Sequence, residues 1–231
     1  MKTIGLLGGM SWESTQTYYR LINEGVKSRL GGLHSAKLVL YSVDFAEIEA
    51  LQHQGDWPAT ARILSGAALS LENAGADFLM IGTNTMHKVA PEIEEAINIP
   101  LLHIADATAK VLTQDNIQRV GLLGTRFTMK QAFYRERLEA AGIEVVTPDA
   151  PQRAEVHRVI YEELCQGEIQ AASRETYLAV INSLAEQGAQ AVILGCTEIG
   201  LLIKQTDTPV PLYDTTAIHA AQAVNQALSG D

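Results

Sequence analysis

The feature that most constrains the fold of this chain is a repeat within its own sequence. Residues 2–8 read Lys-Thr-Ile-Gly-Leu-Leu-Gly, and residues 118–124 read Gln-Arg-Val-Gly-Leu-Leu-Gly. Two further matches follow in the same order, each about 110 residues apart: 75–85 with 188–198, and 106–109 with 214–217. Three matches that keep both order and spacing indicate two structural copies in one chain.

Short apolar runs alternate with helical patterns in both copies. The predicted strands are residues 4–7, 38–43, 78–81, 120–123, 144–147 and 191–194. Between them, apolar residues recur every three or four positions, as in residues 59–74 and 173–187, which predicts helices. Apolar strands that alternate with helices are typical of parallel sheets buried on both faces. We therefore expect an α/β chain with two pseudo-symmetric open domains and mainly parallel sheets.

The domain boundaries follow from the repeat. We expect a first domain of residues 1–100 with a returning segment, residues 210–231, and a second domain of residues 101–209. The returning segment lies beyond the core of the second copy, so its helix is expected to pack on the first domain. Ligands of open parallel sheets bind beyond the carboxyl ends of the strands. The active site is therefore expected in the cleft between the domains.

Composition argues against several classes of partner. The chain has 17 Lys and Arg against 27 Asp and Glu, a formal net charge of −10. We expect no nucleic-acid partner, because such binding needs a basic surface. No apolar run reaches the ~18 residues of a membrane span, so no membrane association is expected. Two cysteines do not make a disulfide framework, and residues 1–10 are interpreted as a strand rather than a signal peptide. The expected location is the cytoplasm.

Polar residues follow the predicted strands, where a ligand is expected. Ser11 follows the first glycine-rich turn, and Thr125 holds the equivalent place in the second copy. Thr83 and Cys196 are counterparts in the repeat. Cys196 is expected at a helix N-terminus, which would lower the pKa of its thiol and make it a base or a nucleophile. Two proton carriers on opposite faces of one carbon would permit stereochemical inversion.

Three motifs carry a resemblance to a known family. They read Gly8-Gly9-Met10-Ser11-Trp12-Glu13-Ser14-Thr15, Thr83-Asn84-Thr85-Met86-His87 and Gly195-Cys196-Thr197-Glu198. Together they resemble the aspartate/glutamate racemase family over residues 2 to about 220. The resemblance implies a racemase that needs no cofactor and no metal and that is commonly a homodimer. The family has catalytic cysteines in Cys-Asn-Thr and Gly-Cys-Thr; the second is Cys196 here, and Thr83 replaces the first.

The same resemblance implies a set of substrate-binding residues. Asn84, Thr85 and Thr197 match family positions that hold the substrate carboxylates. Gln52 lies near a family position that binds the side-chain carboxylate of the substrate. The expected binding residues are Met10, Gln52, Asn84, Thr85 and Thr197, with Ser11, Thr125 and Glu198 as further candidates. Glu198 would either cap a helix or polarise the Cys196 thiol. His87 would either tune the site or have a structural role.

The expected function is racemisation of an acidic amino acid, L-aspartate or L-glutamate. Cys196 would remove the α-proton and Thr83 would return one to the other face, although a threonine is a poor base on its own. Two alternatives remain open. A one-cysteine decarboxylase or isomerase of the same superfamily would release carbon dioxide from a malonate. A non-catalytic amino-acid-binding protein would bind its ligand without exchange of the α-hydrogen.

Overall fold

The computed structural model describes residues 1–230. In chain order, the strands are β1 (Ile4–Gly8), β2 (Leu38–Ser42), β3 (Phe78–Ile81), β4 (Arg119–Gly124), β5 (Glu144–Val146), β6 (Ala191–Gly195) and β7 (Leu212–Asp214). The helices are α1 (Trp12–Leu30), α2 (Phe45–Gln54), α3 (Trp57–Asn73), α4 (Ala90–Ala96), α5 (Ile104–Gln114), α6 (Arg126–Lys130), α7 (Ala132–Ala140), α8 (Ala150–Glu162), α9 (Ala171–Glu186), α10 (Ile199–Leu202) and α11 (Thr215–Leu228).

The first of two compact units contains Met1–Ile104 and the chain from His219 onward. Its three parallel strands lie in the order β2-β1-β3. Alternate side chains of β1 enter two apolar clusters: Leu7 packs with α3, whereas Ile4 and Leu6 pack with α1 and α11. The central strand is therefore buried on both faces, as its apolar run predicts.

Strand β2 departs from that prediction. Leu40 and Tyr41 are 44% and 42% exposed in this unit. The reason is position, because β2 is an edge strand whose only neighbour in the sheet is β1. An apolar run indicates a strand but does not distinguish the centre of a sheet from its edge.

The helices α2 and α3 show how the local sequence sets element ends. Asp44 caps α2 by accepting the backbone N–H of Ala46, and Asp56 caps α3 by accepting that of Ala59. Between them, Gly55 ends α2 in the left-handed conformation. Short polar side chains before a helix and glycine after it satisfy backbone groups that the helix leaves unpaired. These caps fix α2, which carries the predicted binding residue Gln52.

The second compact unit contains Ala105–Ile218. Its parallel strands lie in the order β5-β4-β6-β7. The first three repeat the order of the other sheet, with the first strand of the copy in the centre. The sequence repeat is thus a structural repeat, and the predicted α/β class with two similar parallel sheets is confirmed.

The unit boundary differs from the sequence-based one near the C-terminus. Residues 210–218 were expected in the first domain, but Leu212–Asp214 forms β7, which pairs with β6. The first unit instead resumes at His219, within α11. Pro209 and Pro211 interrupt the short apolar run that leads into this strand, so the sequence did not indicate it. Among the described residues, no helix has both the length and the apolar character needed to cross a membrane.

Candidate active site

The glycine-rich turn after β1 is held by the start of α1. The backbone N–H of Gly9 donates to Thr15 Oγ1 at 2.7 Å, and that hydroxyl donates to the carbonyl oxygen of Ser11 at 2.8 Å. The Ser11 side chain caps α1 by accepting the backbone N–H of Ser14. Gly9 has a φ of +90°, and a Cβ there would lie 2.3 Å from the carbonyl oxygen of Val43. Only glycine fits this turn without displacing the backbone.

We expect Gly9→Ala to lower the free energy of unfolding by about 2–5 kcal/mol, because it adds both φ strain and a backbone clash. Gly55→Ala is the matched control, since Gly55 also has a positive φ, +74°, but no atom within 4 Å of an added Cβ. The control should cost only about 1 kcal/mol. Urea unfolding measures both, and equal losses would show that the clash with Val43 is unimportant.

The end of β3 carries the first candidate proton carrier. The Ser14 hydroxyl donates to the carbonyl oxygen of Gly82 at 3.1 Å, so the start of α1 also braces the end of β3. Thr83 follows and is half-buried, while Asn84 and Thr85 are buried. The chain then makes a 3-10 turn before α4 begins. The structure therefore brings these three predicted site residues together at one strand end.

The other predicted residues of this unit are Met10 and Gln52. Met10 is buried and packs in the apolar cluster of β1 and α3. Its side chain therefore lies in the apolar core. Gln52 is 2% exposed and shares the buried face of α2 with Ile48. A buried amide of this kind can supply hydrogen bonds to a carboxylate.

In the second unit, β6 and β4 each end in a glycine, and the two strand ends lie close together. A Cβ on Gly195 would lie 2.6 Å from the carbonyl oxygen of Leu123, and one on Gly124 would lie 2.9 Å from that of Gly195. Thr125 follows β4 and caps α6 with its side chain, as Ser11 caps α1 in the first unit. The two strand ends therefore place Thr125 and Cys196 next to one tight contact between backbones.

Glu198 is the hydrogen-bond partner of the candidate thiol. Cys196 Sγ donates to Glu198 Oε2 at 3.0 Å, and the Thr197 hydroxyl donates to the same oxygen at 2.6 Å. Glu198 is buried, whereas Cys196 is half-buried. Glu198 stands before α10, but its side chain makes no capping bond there. Of the two roles that the sequence leaves open, the contacts support polarisation of Cys196.

Burial and the negative charge of Glu198 raise the pKa of the Cys196 thiol well above its ordinary value. The sequence-based expectation of a lowered pKa was wrong. It relied on a helix N-terminus, but α10 has only four residues, Ile199–Leu202, and the dipole of so short a helix is weak. The adjacent carboxylate opposes formation of a thiolate. At neutral pH the Cys196 side chain is a thiol whose proton points at the Glu198 carboxylate.

Sequence reasoning missed the contacts of His87. Its Nδ1 lies 2.8 Å from the carbonyl oxygen of Thr83, and its Nε2 accepts the backbone N–H of Ile104 at 3.2 Å. The four-residue spacing from Thr83 is visible in the sequence, but nothing local indicates Ile104. Within residues 1–230, no group of three or more His, Cys, Asp or Glu side chains is arranged to hold a metal ion.

Comparison with known proteins decides the family. A family model described as Asp/Glu/Hydantoin racemase matches residues 7–223. The chain belongs to the Asp/Glu/hydantoin racemase family. One similar member is the broad-specificity amino-acid racemase RacX of Bacillus subtilis, which is 25% identical over 98% of both chains.

Solved structures of the Asp/Glu/hydantoin racemase family agree. A crystal structure described as a candidate Asp/Glu racemase from Yersinia pestis is 60% identical, covers 99% of this chain and 100% of its own, and has a TM-score of 0.93. An aspartate racemase homologue from Pyrococcus horikoshii is 35% identical, covers 98% and 99%, and has a TM-score of 0.86. These likenesses support amino-acid racemisation, an isomerase reaction, and do not favour the decarboxylase or binding-protein alternatives.

Proposed function

We propose that this chain racemises an acidic amino acid, L-aspartate or L-glutamate, with Cys196 and Thr83 as the two proton carriers. The observation that carries the proposal is the contact of the Cys196 thiol with the Glu198 carboxylate at the end of β6. The repeat places Thr83 at the equivalent end of β3. The homologue from Pyrococcus horikoshii, described as related to aspartate racemase, favours an acidic substrate.

The contact between Cys196 and Glu198 suggests the order of proton transfers. Glu198 accepts the thiol proton, and the resulting Cys196 thiolate removes the α-proton of the L-enantiomer. The electron pair left on the α-carbon delocalises into the α-carboxylate, which nearby hydrogen-bond donors stabilise. The Thr83 hydroxyl then donates a proton to the opposite face and regains one from solvent water. Protonated Glu198 returns to solvent the proton that it took from the thiol, which restores both groups. The proposal requires Thr83 and Cys196 to approach the substrate from opposite faces.

Substrate binding is assigned to groups beside these two residues. Asn84 and Thr85 adjoin Thr83 and are proposed to bind the α-carboxylate, with Ser11 and Thr125 as further hydroxyl donors. Thr197 differs, because its hydroxyl already donates to Glu198 and would have to exchange that partner for substrate. The buried Gln52 amide is proposed for the side-chain carboxylate, and Met10 supplies the turn that positions Ser11. The residues of this binding set are Met10, Ser11, Gln52, Asn84, Thr85, Thr125 and Thr197.

The proposed assembly and location follow the same family likeness. We propose a homodimer, which is common in the family. We also propose the cytoplasm, where thiols remain reduced. Cys165 and Cys196 are not in disulfide bonds in the structure. A reduced Cys196 is a requirement of the proton transfers above.

Proton NMR in D₂O tests the function directly. L-Aspartate and L-glutamate are incubated with the enzyme, while the α-hydrogen signal and the amount of D-enantiomer are followed. Loss of the signal together with formation of the D-enantiomer is the expected result for at least one substrate. Exchange without inversion would remove Thr83 from the mechanism. No exchange with either substrate would overturn the proposal.

Substitution of Thr83 should change inversion more than exchange. Thr83→Cys is expected to raise the rate at which the D-enantiomer forms by about ten-fold or more, since a thiol ionises far more readily than a hydroxyl. Thr83→Val keeps the side-chain shape but removes the hydroxyl, so formation of the D-enantiomer should fall while exchange from L-substrate persists. Chiral chromatography beside the NMR assay measures both. A large loss of inversion in Thr83→Cys would refute the assignment of Thr83.

A further inference from the structure

A set of hydrogen bonds in the first unit connects the Thr83 carbonyl to His87 and to the segment before α5. The backbone N–H of Ile104 can only donate, so His87 Nε2 accepts and carries no proton. The Thr83 carbonyl can only accept, so His87 Nδ1–H donates to it. His87 is therefore a neutral imidazole with its proton on Nδ1.

The same logic assigns His219. The carbonyl oxygen of Leu102 lies 2.8 Å from His219 Nε2 and must accept, so Nε2 carries a proton. Burial lowers the pKa of His219 to about 4, so the ring is neutral at pH 7 and its Nδ1 accepts the Tyr18 hydroxyl at 3.0 Å. His103 packs against His87 with 4.3 Å between ring centroids. The segment from Leu102 to Ile104 is thus held by a histidine at each end.

We propose that His87 is a positioning residue for Thr83, acting through the peptide that joins Thr83 to Asn84. This inference rests on the proposed function. The His87 bond fixes the carbonyl of that peptide, and the Asn84 N–H lies on the opposite side of the same rigid plane. One hydrogen bond therefore fixes the backbone that carries the Thr83 side chain and the direction of a neighbouring amide. His87 also joins this turn to Ile104, at the start of α5.

A pair of substitutions separates the two bonds of His87. In His87→Asn, the amide NH₂ can take the place of Nδ1–H and keep the donor to Thr83, but the acceptor for Ile104 is lost. In His87→Gln, the longer side chain can place its carbonyl near Nε2 and keep the bond from Ile104, but the donor to Thr83 is lost. Tyr18→Phe is the control, because it removes a bond of the same network that does not involve Thr83.

The readout is the ratio of D-enantiomer formed to α-hydrogen exchanged, with L-substrate in D₂O. His87→Gln is expected to lower this ratio about ten-fold to a hundred-fold, because exchange depends on Cys196 whereas inversion depends on correct placement of Thr83. His87→Asn should recover most of the wild-type ratio. Tyr18→Phe should leave the ratio unchanged, even if the melting temperature falls.

Four results would overturn the inference. The first is a ratio that follows the melting temperature across all three variants, since a purely structural role predicts no difference between Asn and Gln at equal stability. The second comes from ¹H–¹⁵N spectra of the wild-type imidazoles, if they show His87 as a cation or with its proton on Nε2. A wild-type enzyme that exchanges without inverting would overturn the proposed function and this inference with it. A normal wild-type ratio that His87→Gln leaves unchanged would overturn the inference alone.

Discussion

Cys196→Ser is expected to reduce α-hydrogen exchange of L-aspartate and L-glutamate by at least about 10³-fold, because a serine hydroxyl has nearly the same size but ionises far less readily. Glu198 would still accept a hydrogen bond from serine, so the fold of the β6 end should persist. The D₂O assay measures the loss, and near-ultraviolet circular dichroism checks the fold. Formation of D-enantiomer should fall in parallel.

Cys165→Ser provides the matched control for this loss. Neither cysteine is in a disulfide bond, both are only partly buried, and both pack against the same apolar cluster of the second unit. The chemical change and its cost in packing are therefore comparable. Cys165→Ser is expected to retain activity within about two-fold, because it changes a partly buried side chain that takes no part in the proposed proton transfers. Two outcomes would show that Cys196 is not the base. One is α-hydrogen exchange that persists in Cys196→Ser, and the other is loss of exchange in a folded Cys165→Ser variant.

Much of the fold could be predicted because the repeat carries the same physical signal twice. Within residues 1–230, each of the predicted apolar runs forms a strand, and residues 59–74 correspond to α3, Trp57–Asn73. Strand β7, Leu212–Asp214, could not be predicted, because Pro209 and Pro211 interrupt the short apolar run that leads into it, and proline within a run argues against a strand. The exposed side chains of β2 could not be predicted either, since edge position depends on the order of strands in space.

The residue types of the candidate site could be predicted from the sequence, but the electrostatic environment of those residues could not. Motif positions indicated Cys196 and Thr83, and their roles remain predictions. The sign of the pKa shift at Cys196 depends on burial and on the length of α10, and both are properties of the folded chain. The sequence left Glu198 as a cap or a polarising group, and only the bond to Cys196 distinguishes these roles. The link from His87 to Ile104 joins separate elements, so no local spacing shows it.

Glu198→Gln should make the Cys196 thiol easier to ionise but should slow racemisation. Removal of the negative charge lowers the pKa of Cys196, because that charge is one cause of its raised value. Alkylation by iodoacetamide should therefore reach half its maximal rate at a lower pH than in the wild type. Racemisation near neutral pH should nevertheless fall about 10²-fold or more, because the base that accepts the thiol proton is gone. It should then rise with pH as solvent takes over deprotonation.

The opposite signs make this prediction decisive about the role of Glu198. If the carboxylate acted only as a charge that disfavours the thiolate, Glu198→Gln would speed both alkylation and racemisation at neutral pH. If it acted only as a structural anchor for the Cys196 turn, Glu198→Gln would keep most of the rate, because an amide oxygen can accept the same bonds from Cys196 and Thr197. Glu198→Asp retains the charge and the basicity one methylene further away, so it should recover part of the rate. A thiol that becomes easier to ionise yet catalyses more slowly is the result expected only when Glu198 transfers the proton.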